Sequence, residues 1–400
     1  MTRIFGLDVH KKQVQLAELT PDGRLVRSEE FPATPEGLQT FAATLHPEDE
    51  IALEATTNTW AIHDALAPHV AKVAIANPLK VRLIADAHLK TDAVDASVLA
   101  HLHRTHFLPE VWVPDPTTRR WRSLVAHRQE LTKVQTMWKN RVHSILHRNL
   151  IAAPPAGDLF GVCGRRWLTS VTLPADQRLQ LDSSLRLLDA TRADRDQLDA
   201  VLSREAHGEP RMALLLSVPG LHLATAMTLL AAIGDVHRFD DPKKLVGYLG
   251  LCPRVYQSAD HTYHGRITKA GSASARWMAI QAANLLVRTP SPFQHWFRKL
   301  KKTKGHNKAI VAVARKLVVL VWHMLTSGEA YRYAQPARQQ AKLARIRIRA
   351  TGERKRGGVP KGSPVHPNTR AAVIKRWAEW RTRKAAAGGA PVRDPMGRVC

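Results

Sequence analysis

The 400-residue chain is 44% hydrophobic, which is enough for two or three domains with buried cores. Its three cysteines, Cys163, Cys252 and Cys400, exclude a disulfide framework and a zinc cluster with CxxC spacing. The chain has 60 Lys and Arg against 34 Asp and Glu, a formal charge of +26, which indicates a polyanionic partner. Because the sequence has no amphipathic anchor or lipidation motif, nucleic acid is favoured over anionic lipid as that partner.

No apolar stretch of the sequence approaches the length that a membrane-spanning helix needs. The N-terminus also lacks the basic, apolar and small-residue regions of a secretory signal. We therefore expect a soluble, cytoplasmic protein with no membrane partner.

The first strands of the chain contain an acid in an apolar setting. Residues 2–20 predict two alternating strands joined by a tight turn, and the Pro-Asp-Gly at 21–23 precedes a third strand at 25–31. Asp8 interrupts the first and most apolar of these strands. Because an isolated buried charge is costly, Asp8 must be paired, protonated or bound to a metal.

Three further acids follow in the same region. Residues 50–56 predict a fourth strand that ends on Glu54, and after a fifth strand at 70–76 a helix carries Asp92 and Asp95. Their three-residue spacing places both carboxylates on one helix face. A solvated helix surface explains such a pair taken alone, but acids at strand ends and on one late helix can converge at a sheet edge and hold Mg²⁺. The alternation of strands and helices over residues 1–115 predicts an α/β domain with a mixed sheet.

Residues 116–208 predict a helical arm. Two amphipathic runs, 117–150 and 176–206, flank a Pro- and Gly-rich connection at 152–164. Both runs suit a helical hairpin or a coiled-coil arm used in dimerisation. Two helices packed on their own domain explain the pattern equally well.

Residues 209–330 predict a second, mainly α-helical domain with a helix-hairpin-helix-like element. A Pro-Gly turn at Gly220 separates two helices, and free N–H groups at the start of the second can face a phosphate, although many helical pairs use such a turn only for packing. Residues 293–308 mix aromatic and basic side chains, including Lys299 and Lys302, which suits backbone contacts with base stacking. A solvated basic loop is the plain alternative.

The tail, residues 331–400, carries 18 Lys and Arg against three acids. Gly and Pro are interspersed through it. We expect it to be mostly disordered until it meets nucleic acid.

Four N-terminal blocks of the sequence resemble those of the DEDD insertion-sequence transposases, recombinases of mobile elements. The blocks are residues 6–11 (GLDVHK), 53–56 (LEAT), 76–78 (ANP) and 90–96 (KTDAVDA). The same family's C-terminal domain has a similar order of motifs. In this chain the motifs are residues 215–221, 245–251 and 265–271 (GRITKAG), followed by Arg276. The chain departs from the family pattern at Thr57 and Asn58, where the family usually has Gly after the Glu-Ala-Thr.

The resemblance implies a RuvC/ribonuclease-H-like fold for residues 1–115 and a two-metal Mg²⁺ site held by Asp8, Glu54, Asp92 and Asp95. It further implies that Ser258 is the nucleophile and forms a phosphoserine link to DNA. The family commonly has Ser before the Lys where this chain has Thr268, which also favours Ser258; Ser272 and Ser274 are weaker candidates. A guide (bridge) RNA and a homo-oligomer, dimer or tetramer, with an active site composed from two protomers, are implied as well.

The residues predicted to contact nucleic acid are Lys90, Gly220, Arg266, Lys269, Arg276, Lys299 and Lys302. For Lys90, Arg266 and Lys269, plain surface charge is an equally plausible interpretation. Two other functions fit the sequence: a RuvC-like, structure-specific endonuclease that uses metal-activated water, and a non-catalytic nucleic-acid-binding protein.

Overall fold

The structure, a computed structural model, describes residues 2–84, 91–152, 158–258 and 261–353. Its strands are β1 (Ile4–Val9), β2 (Gln13–Leu19), β3 (Leu25–Pro32), β4 (Glu50–Glu54), β5 (Lys72–Ala76), β6 (Pro253–Ser258) and β7 (His261–Ile267). Its helices are α1 (Pro35–Ala42), α2 (Thr59–Leu66), α3 (Pro78–Ile84), α4 (Asp92–Arg104), α5 (Pro116–Arg148), α6 (Val162–Ser170), α7 (Ala175–His207), α8 (Arg211–Leu216), α9 (Leu223–Ile233), α10 (Pro242–Tyr248), α11 (Ala273–Leu286), α12 (Pro292–Lys304), α13 (His306–Ser327) and α14 (Pro336–Thr351).

The N-terminal region contains a mixed five-stranded sheet in the order β3-β2-β1-β4-β5. β1, β2 and β3 form an antiparallel meander, and β4 and β5 run parallel to β1. The helices that connect β3 to β4 and β4 to β5 make these parallel pairings possible. The predicted mixed α/β region and the mostly helical remainder of the chain are therefore confirmed.

One face of this sheet carries large apolar side chains. Because side chains alternate along a strand, every second residue of β1, β2, β4 and β5 points to this face. These residues pack against Leu38 and Phe41 of α1 and Ile62 and Leu66 of α2. The buried strand residues are Phe5, Leu7, Val9, Val14, Leu16, Ile51, Leu53, Val73 and Ile75.

The opposite face carries small residues, and α4 packs on it. Ala52, Ala74 and Ala76 are buried there with Leu99 of α4. Gly6 makes the closest approach, since a Cβ atom at this position would lie 1.9 Å from the carbonyl oxygen of Ala96. Small side chains thus let α4 lie directly against the centre of the sheet.

The chain divides into two compact units. The described residues of Met1–His127 and Thr228–Met278 form one, and those of Arg128–Met227 and Ala279–Cys400 form the other. The four segments predicted from the sequence do not coincide with these units. In particular, the predicted domain at 209–330 is divided between them.

Within the first unit, an aromatic and cationic cluster holds the two chain segments together. The Arg238 guanidinium lies over the rings of Trp112, Phe239 and Tyr248, at 4.2, 4.1 and 4.4 Å from their centroids. Arg122 Nε donates to the carbonyl oxygen of Ala231 at 2.8 Å. The segment that carries Ser258 is therefore anchored to the same unit as the sheet.

In the second unit, the α5 residues from Arg128 onward and α7 form an antiparallel helical hairpin. Arg128 pairs with Asp199, and Gln135 donates to the carbonyl oxygen of Thr191. Further along, Val142, Ile145 and Leu146 pack with Leu181, Leu185 and Leu188. The two predicted amphipathic helices thus pack on each other within the chain, and their use in dimerisation stays a prediction.

The prediction that no apolar stretch approaches the length of a membrane span is wrong for helix α13. Its 22 residues are long and apolar enough to cross a membrane by length and composition. Ile310, Val313, Leu317 and Val321 are buried inside the unit, which is the burial expected of a core helix.

The start of the basic tail contains a helix, which the expectation of a mostly disordered tail did not include. Residues 336–351 form α14, in which Ile346 is buried and Lys342 Nζ donates to the carbonyl oxygens of Leu216 and Val218, at 2.9 Å each. The expectation rested on the Gly and Pro content of the whole tail, but residues 337–351 contain neither. Residues 354–400 lie outside the described part of the chain.

We expect Gly6→Ala to destabilise the first unit. The added methyl group would lie 1.9 Å from Ala96 O and 2.8 Å from Ala100 N, so α4 must move away from β1. Such overpacking typically costs about 1 to 3 kcal/mol, measurable by urea denaturation of the full chain. Gly247→Ala is the matched control, because a Cβ atom there meets nothing within 4 Å. Equal stability of the two variants would contradict the close contact.

Candidate active site

The site begins at the carboxyl end of β1, where Asp8 follows the buried Leu7. Asp8 lies on the α4 face of the sheet because it is two residues from Gly6. Its side chain is only 14% exposed. The backbone N–H of His10 donates to the carbonyl oxygen of Gln13 in the turn that follows, which fixes the chain just beyond Asp8.

Helix α4 brings two more acids to this place. The Thr91 hydroxyl accepts a hydrogen bond from the backbone N–H of Val94 and caps the helix. Asp92 and Asp95 lie in the first turn, where the helix dipole stabilises negative charge. That effect alone explains two acids at a helix start, but it does not explain the largely buried Asp8 beside them.

Asp8, Asp92 and His10 form a compact group. His10 Nε2 lies 3.1 Å from a carboxylate oxygen of Asp8 and 3.1 Å from one of Asp92. One potential ligand atom from each residue lies within 4.8 Å of the others. His10 is not among the site residues predicted from the sequence. Its position two residues after Asp8, in the turn at the strand end, is the signal that would have identified it.

The pKa values of Asp8 and His10 are both raised in this group. Burial raises the pKa of Asp8, and the negative charges of Asp92 and Asp95 raise it further, while His10 opposes them. Conversely, the charge of Asp8 raises the pKa of His10, with a contribution from Asp92. Asp95 therefore acts electrostatically on Asp8, although it is not a member of the compact group.

Glu54 ends β4, the strand next to β1. The parallel register pairs Leu7 with Leu53, so Glu54 occupies the position after Leu53 as Asp8 does after Leu7. Both acids thus lie at the same edge and on the same face of the sheet. The compact group does not include Glu54, which is half-buried. The structure therefore places all four predicted acids in one region, with Asp8 and Asp92 in immediate proximity.

The donor set fits a hard divalent cation. Carboxylate oxygens are the ligands preferred by Mg²⁺ and Mn²⁺, and imidazole is acceptable to Mn²⁺. A cation between Asp8 and Asp92 would offset the burial and the repulsion that together raise the pKa of Asp8. The arrangement supports a divalent metal site without selecting the metal.

Ser258 ends β6 in the two-stranded β6-β7 hairpin, and its Cα partner on β7 is His261. The whole of β6 after Pro253 is exposed. At the base of the hairpin, Gly250 and Gly271 adopt φ values of +67° and +61°, and Cβ atoms there would lie 2.4 Å from Ala270 O and 2.0 Å from Tyr248 O. These contacts fasten the hairpin base to the end of α10.

The predicted nucleic-acid contacts fall into several environments. Arg266, Lys269, Lys299 and Lys302 are exposed, and Lys269 has a φ of +58°. Gly220 is buried with a φ of +92°, and a Cβ atom there would lie 2.5 Å from Ala282 O, so this glycine serves close packing. Lys90 lies outside the described residues. Their contacts with nucleic acid stay predictions.

Arg276 has an architectural position. Its Nη1 donates to the carbonyl oxygens of Leu249 and Ala270, at 3.1 and 2.8 Å. Burial lowers the pKa of this guanidinium. Arg276 therefore joins the end of α10 to the loop after β7.

Comparison with protein families gives two matches. The DEDD model of IS110 elements, described as transposase, matches residues 5–150, and a model described as transposase of the IS116/IS110/IS902 family matches residues 212–298. The first match includes Asp8, Glu54, Asp92 and Asp95, and the second includes Ser258. The DEDD-type match also indicates a divalent metal.

Individual relatives agree with these matches. The "Insertion element IS110 uncharacterized 43.6 kDa protein" of Streptomyces coelicolor is 26% identical over 393 residues, covering 83% of this chain and 96% of the relative. The "Pilin gene-inverting protein" of Moraxella bovis is 27% identical, covering 72% of this chain and 82% of the relative. The "Transposase for insertion sequence element IS1111A" of Coxiella burnetii is 32% identical, covering 29% of this chain and 33% of the relative.

We expect Arg276→Ala to lower stability, because two carbonyl oxygens lose a charged donor. The free energy of unfolding should fall by about 1 to 3 kcal/mol, read from denaturant unfolding of the full chain. The exposed Arg266→Ala is the control and should unfold as the wild type does. If Arg276→Ala unfolds normally but reduces the salt slope of DNA binding by about 1, its role is phosphate contact instead.

Proposed function

Since this chain belongs to the IS110 family of transposases and is a DNA transposase/recombinase, we propose that it cuts and rejoins DNA through a metal-assisted serine nucleophile. In this proposal residues 1–115 have a RuvC/ribonuclease-H-like fold, which the strand order β3-β2-β1-β4-β5 supports. The observation that carries the proposal is the group of Asp8, His10 and Asp92 at the edge of that sheet.

Asp8, Glu54, Asp92 and Asp95 are proposed to hold Mg²⁺, with two ions bound. When bound, such ions neutralise phosphoryl charge and orient an in-line displacement. The shared edge and face of Asp8 and Glu54 support this assignment, as do the capped N-terminus of α4 and the small residues beneath it. Burial raises the pKa of Asp8 and the charges of Asp92 and Asp95 raise it further, so a cation at this place would favour the ionised carboxylate.

Ser258 is proposed to attack the scissile phosphodiester: the bond from its oxygen to phosphorus forms as the bond from phosphorus to one deoxyribose oxygen breaks, and that oxygen leaves with a proton as a hydroxyl. A serine hydroxyl is a weak nucleophile at neutral pH and needs a group that takes its proton. Its exposed place near the end of a hairpin leaves it accessible to a polymer substrate. Ser258 and the four acids belong to the same compact unit of the chain, and in the proposal the active site is composed from two protomers.

The proposal also includes a guide RNA, a homo-oligomer and a cytoplasmic location. The formal charge of +26 supports extensive contact with nucleic acid. The pilin gene-inverting relative supports recombination between DNA sites as the outcome. A structured non-coding segment beside the reading frame would favour RNA guidance, and its absence from the element would count against it.

We expect Asp8→Asn to reduce plasmid recombination by at least about 100-fold, because a metal contact contributes several kcal/mol of transition-state stabilisation. Mn²⁺ binding, followed by electron paramagnetic resonance, should weaken in parallel. Since the substitution removes a charge repelled by Asp92 and Asp95, the melting temperature should be unchanged or higher. Asp22→Asn, in the exposed β2-β3 turn, is the matched control. Full activity of Asp8→Asn would overturn the metal site.

We expect Ser258→Ala to abolish recombination and any SDS-resistant adduct between protein and DNA, because the nucleophilic oxygen is lost. DNA affinity should stay within about twofold, since one small hydroxyl adds little to a largely electrostatic complex. Thr262→Ala removes a hydroxyl from the same hairpin and should recombine normally. Retained DNA cleavage by Ser258→Ala would favour an endonuclease that uses metal-activated water. Activity independent of Mg²⁺ would exclude both mechanisms.

A further inference from the structure

The β6-β7 hairpin presents a chemically distinct face. The register pairs Tyr256 with Tyr263 and Ser258 with His261, and alternation along each strand places all four on one side. A Cβ atom at Gly265 would lie 3.5 Å from Tyr256 Cε2 and 3.6 Å from Arg254 Cβ, which places Arg254 on this side too. Arg254, two tyrosines, Ser258 and His261 therefore share a surface, here called the tyrosine face.

The two tyrosine rings on this face are stacked and open to solvent. Their centroids are 6.3 Å apart with an interplanar angle of 30°, within the range of attractive aromatic pairs. Tyr256 is 56% exposed and Tyr263 is 68% exposed. The hairpin is a separate two-stranded sheet. The rings thus add little to a core and form a ready-made aromatic platform.

The charge around the platform is suited to a polyanion. In the described residues of the hairpin, Pro253–Ser258 and His261–Ile267, the arginines are Arg254 and Arg266 and no acid occurs. Arg254 lies on the tyrosine face, whereas alternation after Gly265 places Arg266 on the other face. Exposed aromatic rings beside arginines are the combination with which proteins hold single-stranded nucleic acid, through base stacking and backbone contacts. Tyr256 lies two residues, about 7 Å along the strand, from Ser258.

We propose that the tyrosine face is a stacking site for an unpaired nucleobase next to the phosphodiester that Ser258 attacks. A base lies on the Tyr256-Tyr263 platform, and Arg254 contacts the adjoining backbone. Stacking accepts any base, so the site selects unpaired strand over duplex and holds the scissile strand in position. The inference rests on the proposed function for the role of Ser258, but base stacking itself does not require that chemistry.

The test measures binding without chemistry, using the full chain with Ser258→Ala. Two fluorescent single-stranded probes of about 12 nucleotides are compared by anisotropy, an oligodeoxyadenylate and an abasic oligomer of the same length. Both carry the same phosphates, so their affinity ratio reports contacts to bases. Adding Tyr256→Ala or Tyr263→Ala should weaken oligodeoxyadenylate binding about 10-fold and leave the abasic probe unchanged. Tyr256→Phe keeps the ring and should bind as the parent does.

The control is Val255→Ala, which removes an exposed side chain from the other face of the same hairpin and should not alter the ratio. An unchanged ratio in both tyrosine variants would overturn the stacking site. An unchanged ratio with a lower mass by light scattering would assign the tyrosines to a contact between subunits instead. Separately, full recombination by Ser258→Ala would refute the nucleophile without affecting the binding result, so the two failures are distinguishable.

Discussion

The contact between Gly6 and α4 is the constraint on which the candidate active site depends. Without a side chain at Gly6, the backbone of α4 at Ala96 lies directly on β1, and the helix start reaches the strand end where Asp8 lies. A larger residue would lift the helix and separate Asp92 from Asp8. Buried Ala52, Ala74 and Ala76 extend the same small surface over β4 and β5. The small side chains on one face of the sheet therefore serve two purposes: they let α4 pack closely on the sheet, and they place Asp92 beside Asp8.

That placement creates an electrostatic cost which the protein compensates locally. Three carboxylates act on one another at the sheet edge, and the pKa of Asp8 is raised by burial and by Asp92 and Asp95. The N-terminus of α4 and the bridging His10 each stabilise negative charge there. A divalent cation would complete the compensation. Repulsion of this kind lowers stability, so ligand binding is a better explanation for the cluster of acids than a contribution to stability.

The sequence was sufficient to predict the strands of the sheet, because alternation, turn residues and the apolar setting of Asp8 are local signals. It also indicated Asp92 and Asp95, since three-residue spacing places them on one face wherever the helix packs. It could not predict that His10 bridges Asp8 and Asp92, which depends on the turn conformation and on the distance between β1 and α4. Nor could it show that Arg276 donates to two backbone carbonyl oxygens, because a free and a structural arginine have the same sequence signature. For α14, averaged tail composition concealed a short helical segment.

The acids and the serine are supported in different ways, and the difference fits their chemistry. Asp8 lies near the end of β1 and Glu54 ends β4, both central strands of a packed sheet, and this rigid support suits the proposed metal ligands. Ser258 lies on a two-stranded hairpin, an element that is marginal alone and depends on its attachments. Those attachments are the close contacts of Gly250 and Gly271 and the guanidinium of Arg276. These attachments hold the base of the hairpin. They leave the exposed tyrosine face, with Tyr256 and Tyr263, free to contact the nucleic acid proposed to bind there.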